Sequence, residues 1–397
     1  MKTRILIALL LSITVGAQST NLNLNAKNPN DTELKNAAVV VRFDDLKKIS
    51  PANREKTAVY IDGKQISSQL DDLNKDGIMD ELIFLLDFKA NESRKVTIKT
   101  ISPKKRLKFP TEVYADLIVK EKDGSHKFVN EVSSIQNNMY NALHHHGVAF
   151  ESSLIGYRIY FDNKSTIDIY GKKKQQLELA ATGWYPTDEQ ADAGFGDDVL
   201  RVFGSVGVGT VKGWNGKKAT HIDKFDKRTQ RIVATGNLRT IVESEVEGWA
   251  YENKKINMKV RYTLYARHRD AICEVTASED INNLTTGVQT IAGGPTIKTS
   301  KGLVGSWGTD FPVTDTLKYE KQSCGLGVYV PVPFAGVQIS EGLNNLILMP
   351  YRKGEILRFY LTAAAQKEEY TAFDSAEQFF SYLEQWKKGL MPIEVNY

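Results

Sequence analysis

The sequence is short of most features that would class it at once. Its 397 residues include two cysteines, Cys273 and Cys324, which is too few for a disulfide scaffold. Neither lies in a nucleophile motif, so a catalytic cysteine is not expected; an exported protein could pair them, but sequence does not supply the geometry. No repeat of 20–50 residues is visible, which excludes a solenoid. After the first residues no apolar run approaches the ~20 needed for a membrane helix. The formal net charge of +4 is too small a bias to point to nucleic acid. Helical periodicity is scarce as well.

What is present is 41% hydrophobic and 25% charged residues, a globular balance. Lys2 and Arg4 precede an apolar run from Ile5 to Val15 and a small-residue exit at Gly16-Ala17. Residues 1–17 therefore read as a signal peptide, and the protein is expected to be exported, periplasmic or secreted. Segments 37–43, 58–61, 82–86, 95–100, 158–161, 258–266 and 271–277 are rich in Val, Ile, Tyr, Phe and Thr and bounded by turn residues, as strands are. Between 375 and 388, Phe379, Tyr382, Leu383 and Trp386 recur at helical spacing, with Asp374 or Ser375 as N-cap. The expected fold is all-β with a C-terminal helix. A polar break at 102–112 divides an N-terminal β-sandwich region, 18–105, from a large domain, 113–397.

Five groups of residues bear on chemistry. Asp72, Asn74, Asp76 and Asp80, with Gly77 at the sharp turn, have the spacing of a calcium loop, and any calcium there would be structural. The alternative is a polar hairpin turn. His144-His145-His146 holds half of the six histidines. On a strand the three cannot face one metal, whereas in a loop two could converge. Acid/base, metal-binding, substrate-binding and solvated readings all remain open. Segment 156–171 reads as a hairpin in which Tyr157, Ile159 and Phe161 share one face and Arg158, Tyr160 and Asp162 the other. Its polar face, completed by Asp168 and Tyr170, lines a cleft or carries an exposed ion pair. A Gly-rich stretch follows with Trp184, Tyr185, Asp198, Arg201, Trp214 and His221, and its aromatics suit carbohydrate contact. Lysine clusters at 172–174 and 217–218 would meet an anionic substrate or water.

His146-Gly147-x-Ala149-Phe150-Glu151, Tyr157-Arg158-x-Tyr160-x-Asp162, Asp168-x-Tyr170-Gly171-Lys172, Gly196-x-Asp198-x-Leu200 and Ser205-x-Gly207-x-Gly209 together resemble the DUF4861 family of exported bacterial proteins. The resemblance implies a β-supersandwich similar to galactose mutarotase-like domains. It also implies a dehydratase that eliminates water from a non-reducing-end glucuronate or iduronate of anionic oligosaccharides such as ulvan fragments, leaving a 4,5-unsaturated uronic acid. Such an elimination needs a cation on the carboxylate, a base for the C5 proton and an acid for the departing hydroxyl, and no redox cofactor. Within the matching blocks Arg158 or Arg201 would serve the carboxylate. His146 or His221, with Tyr160, would move protons, and His145, Tyr185, Asp198, Arg201 and Trp214 would hold substrate. A polysaccharide lyase and a non-catalytic sugar-binding protein are the alternatives.

Overall fold

The computed structural model describes residues 21–397 except 184 and 372. The expected signal peptide and Trp184 lie outside the described residues. Among the described residues no helix is long and apolar enough to cross a membrane.

Strands Asn21–Lys27, Leu34–Arg42 and Ser93–Thr100 of the first sandwich bury alternate residues, and that alternation lets two sheets close over one core. Leu24 and Ala26 in Asn21–Lys27, and Val39 and Val41 in Leu34–Arg42, point inward. They meet Phe84, Val96 and Ile98 from the strands Glu81–Phe88 and Ser93–Thr100. One sheet runs Glu394–Asn396, Asn21–Lys27, Ser93–Thr100, Thr57–Ile61, Lys64–Ile66, so the last strand of the chain closes the first sheet. The other sheet runs Leu34–Arg42, Glu81–Phe88, Gln69–Asp71. Buried polar contacts tie this sandwich to the rest of the chain: Arg239 pairs with Asp71, and the Gln69 side chain accepts from the backbone N–H groups of Leu238 and Arg239.

The larger part is a β-supersandwich. A nine-stranded antiparallel sheet extends from Glu131–Ser134 at one edge to Thr296–Thr299 at the other, with Arg239–Tyr251, Lys254–Tyr265 and Asp270–Ala277 among its middle strands. Two five-stranded sheets share a continuous apolar core with it. One of them is ordered Asp197–Asp198, Ile167–Gly171, Ile155–Tyr160, Gly147–Ser152, Val113–Asp116; the other is centred on Ile281–Gln289. Single bridges from Ile167 to Gly207 and from Val208 to Val288 join these two sheets edge to edge. Gly207 has φ +52°, and a Cβ there would stand 2.1 Å from the Ile167 carbonyl oxygen, so the join requires glycine.

The C-terminal helix Ala376–Trp386 is capped by Ser375, whose side chain accepts from the Gln378 N–H. Phe379 and Leu383 pack against Leu303 and Trp307 of the nine-stranded sheet. Glycines make room for them: a Cβ on Gly327 would come within 2.4 Å of Leu383, and one on Gly325 within 2.6 Å of Phe379. Cys273 and Cys324 are both buried and free, so no disulfide joins them.

Candidate functional site

The hairpin read from the sequence forms, with Tyr157 opposite Ile169 and Arg158 opposite Asp168. Both of its faces are covered. The apolar face enters the core, and over the polar one folds the segment that follows the hairpin, 172–202. Glu151 accepts from the backbone N–H groups of Glu178 and Leu179, and Tyr170 donates to the Gly196 carbonyl. Lys172, read as one of a surface cluster, is fully buried and ion-paired with Glu151.

Under this cover lies a charged network. Arg158 is fully buried; one of its nitrogens sits 2.7 Å from Asp168 Oδ2 and 3.0 Å from Asp198 Oδ2. The Tyr160 hydroxyl donates to the same Asp168 oxygen at 2.5 Å. Burial alone would lower the Arg158 pKa, and the two carboxylates more than reverse it. Burial, then repulsion by Asp168, pushes the Asp198 pKa well above the usual carboxylate range. Burial also raises Asp168, although Arg158 and Tyr160 pull it back. One cation cannot fully neutralise two buried carboxylates, so both are held above the usual carboxylate range, Asp198 further than Asp168. Of the two arginines expected to serve a substrate carboxylate, Arg158 or Arg201, Arg158 thus has its charge shared by two internal carboxylates.

Tyr160 and Asp198 form part of the wall of a cavity of about 320 Å³. Tyr140, Tyr185, Asp162 and Lys164 contribute its other polar groups, and Leu200, Phe203 and Val313 an apolar side. Arg201 enters it with its guanidinium 4.1 Å from the Phe203 ring and one nitrogen donating to the Val313 carbonyl. Its Nε has no hydrogen-bond partner among the described residues, and no carboxylate there forms an ion pair with it. A larger cavity of about 680 Å³ lies where Ser68, Arg106, Lys108 and Asn237 meet. Its lining includes Tyr114 and Lys108 but no carboxylate and no histidine, whereas the smaller cavity brings carboxylates and tyrosines together.

The tertiary structure thus gathers four of the expected residues, Tyr160, Tyr185, Asp198 and Arg201, around one cavity and sets Arg158 beneath it. The others sit elsewhere. His146 does not line the cavity; its Nδ1 meets the Tyr140 carbonyl at 2.8 Å and its ring stacks on Tyr140. Burial pushes its pKa down to about 4. His145 is buried, with Nε2 at 3.3 Å from the Leu179 carbonyl, out of reach of a sugar in the cavity lining. Trp214 packs with Val206 and Leu346 as core and offers no stacking face. Tyr140 and Lys164 were not singled out by sequence, because no periodicity marks a loop residue that folds back onto a sheet.

His221 is engaged by Lys212, whose Nζ lies 2.9 Å from the His221 Nδ1 and donates to the Lys164 carbonyl. Burial, only partly offset by Asp162, lowers the Lys212 pKa to about 7, and burial followed by Lys212 lowers His221 to about 4. Between about pH 7 and the ordinary lysine value of 10.5 the folded state has released a proton that the unfolded chain still binds, so stability rises with pH across that window. Lys212→Met is expected to flatten this rise, read from urea midpoints between pH about 7 and about 10. Parallel curves for variant and parent would show that folded Lys212 keeps its charge.

In the loop expected to hold calcium, Asp72 accepts from the N–H groups of Asp76 and Gly77, Asn74 accepts from Asp76, and Asp80 accepts from Leu73. These bonds build the turn; Asp80 Oδ2 accepts from Asn74 as well as Leu73, while the Asp72 and Asn74 oxygens each keep a second lone pair. Melting with and without calcium separates the two uses: a raised Tm means a bound ion, and an unchanged Tm means a turn alone.

The family model described as "Domain of unknown function (DUF4861)" matches residues 26–395. No curated protein matches the chain. Among solved structures, a glycosyl hydrolase family 38 protein from Enterococcus faecalis is similar at 9% identity and TM-score 0.42, over 94% of this chain and 47% of that one. An alpha-mannosidase from Enterococcus faecalis V583 is similar at 11% identity and TM-score 0.43, over 94% and 46%. The chain spans about half the length of each. At such distance the chemistry has to be read from the cavity's own side chains.

Proposed function

The chain belongs to the DUF4861 family, and from the contents of its cavity we propose that it is an oligosaccharide dehydratase acting outside the cytoplasm on a terminal glucuronate or iduronate. The observation that carries this reading is the meeting in one cavity of Arg201, a guanidinium with no carboxylate ion pair among the described residues, with Asp198, a buried acid whose pKa is raised by burial, and Tyr160, a tyrosine hydrogen-bonded to a carboxylate. Its volume of about 320 Å³ falls within the range of small-ligand sites, about 300–1,000 Å³.

Each group answers one requirement of the elimination. Arg201, seconded by Lys164, pairs with the uronate carboxylate and gains strength as the C5 proton leaves and charge spreads onto that group. The Tyr160 oxygen takes the C5 proton while its own phenolic proton passes to Asp168. Asp198 gives its proton to the C4 hydroxyl, which departs as water, and the C5–H electron pair becomes the C4=C5 double bond. Asp168 thus ends protonated and Asp198 ionised, both still facing Arg158. The tyrosines Tyr140 and Tyr185 offer ring faces to the sugar.

The test is incubation with oligosaccharides ending in glucuronate or iduronate, followed by ultraviolet absorbance and mass. The expected product is unsaturated and lighter by one water. Two fragments would make the protein a polysaccharide lyase, and binding with neither change would make it a sugar-binding protein.

A further inference from the structure

Two of the six histidines, His144 and His145, gather beside the carboxylate of Asp116, none of the three among the residues lining the cavity. That residue ends the strand Val113–Asp116, opposite Ala149 in register, and it is fully buried. Neither of its oxygens has a hydrogen bond of acceptable geometry among the described residues. On the same face of the sheet, Glu151 is satisfied by Lys172 and by backbone N–H groups, so that cation is already used, and Asp116 faces the imidazole of His145, whose Nε2 lies 4.0 Å from Oδ2.

Beside Asp116 the chain makes a tight turn through His144–His146, with φ +53° at His145 and +59° at His146. A strand would send neighbouring side chains to opposite faces. This turn instead brings the His144 and His145 rings to 4.0 Å between centroids. One ligand atom from each of Asp116, His144 and His145 lies within 4.8 Å of the others. His144 Nδ1 is buried and has no partner among the described residues. His145 Nε2 lies 3.3 Å from the Leu179 carbonyl and 4.0 Å from Asp116 Oδ2, which holds the ring beside the carboxylate.

We propose that Asp116, His144 and His145 bind one divalent transition-metal cation. Two imidazole nitrogens and a carboxylate oxygen suit zinc and its first-row neighbours, whereas calcium and magnesium prefer oxygen throughout. Three protein ligands leave a coordination position open. The site holds whether or not the cavity performs the elimination, and its test does not use activity.

Metal-stripped protein is dialysed against zinc, and the retained metal is counted. One zinc per chain is expected, and cobalt(II) in its place should show visible d–d bands. His144 is only half-buried, so His144→Ala should fold normally and lose affinity by more than about 100-fold, beyond the usual effect of removing an outer contact. Asp116→Asn should do the same, while His126→Ala, whose ring lies 5.7 Å from His144, should retain binding. No retained zinc, or equal affinity in parent and His144→Ala, overturns the site.

Discussion

Arg201→Gln should lower kcat/KM on a uronate-ended oligosaccharide by about 10²–10³-fold, the usual consequence of removing one charge-stabilising donor from a reacting site. On the proposed reaction the loss should fall mainly on kcat, because the guanidinium would face a uronate carboxylate onto which further charge spreads as the C5 proton leaves. Folding should be little affected. The Arg201 side chain lies over Phe203 and makes one hydrogen bond to the Val313 carbonyl, which glutamine can also approach. Lys164, on the same cavity and with its Nζ 4.0 Å from Asp162, should matter less, since that carboxylate already shares its charge. Normal turnover in Arg201→Gln together with a dead Lys164→Gln would transfer the role to the lysine. Normal turnover in both would sink the assignment of the cavity.

Arg158→Ala should have a different signature, a loss of about 3–5 kcal/mol of stability, the cost of breaking a buried ion pair from one side. The variant leaves Asp168 and Asp198 facing each other without the cation that lies 2.7 Å from one and 3.0 Å from the other. Both would then have to be neutral in the folded state, so their folded pKa values would rise further above the unfolded ones. Groups with raised folded pKa values lose stability as pH increases. The gap between parent and variant, measured by urea unfolding, should therefore be wider at about pH 8 than at about pH 4. A triple change that also makes both aspartates asparagine should recover part of the loss, because no buried charge is then left unpaired. An Arg158→Ala protein of unchanged stability would contradict the buried network.

These two arginines show how far the sequence carries. Arg158 stood out because its hairpin is legible from alternation and turn residues alone, and the register places it opposite Asp168. The sequence also marked the C-terminal helix, whose apolar positions 379 and 383 recur at one turn's spacing and are the buried ones. What alternation does not contain is which face of a strand meets water. For 155–160 that was decided by the segment that follows the hairpin folding back over the polar face, so a row expected to line a cleft or carry an exposed ion pair became an internal ion network, and the guanidinium at the cavity is that of Arg201.

The same reason accounts for Trp214, Lys172 and His145. Local pattern says that a tryptophan or a lysine lies in a polar, glycine-rich stretch; only the packing of distant segments shows Trp214 against Leu346 and Lys172 against Glu151. The histidine run shows the reverse case, since two positive φ angles let adjacent rings converge where a strand would part them. Strand and helix identity, the all-β class and the hairpin register follow from short-range periodicity and backbone stereochemistry, which the sequence by itself determines. Which charged groups are buried, which are paired and which face the cavity depends on contacts between residues far apart in the chain, and only the tertiary structure decided these.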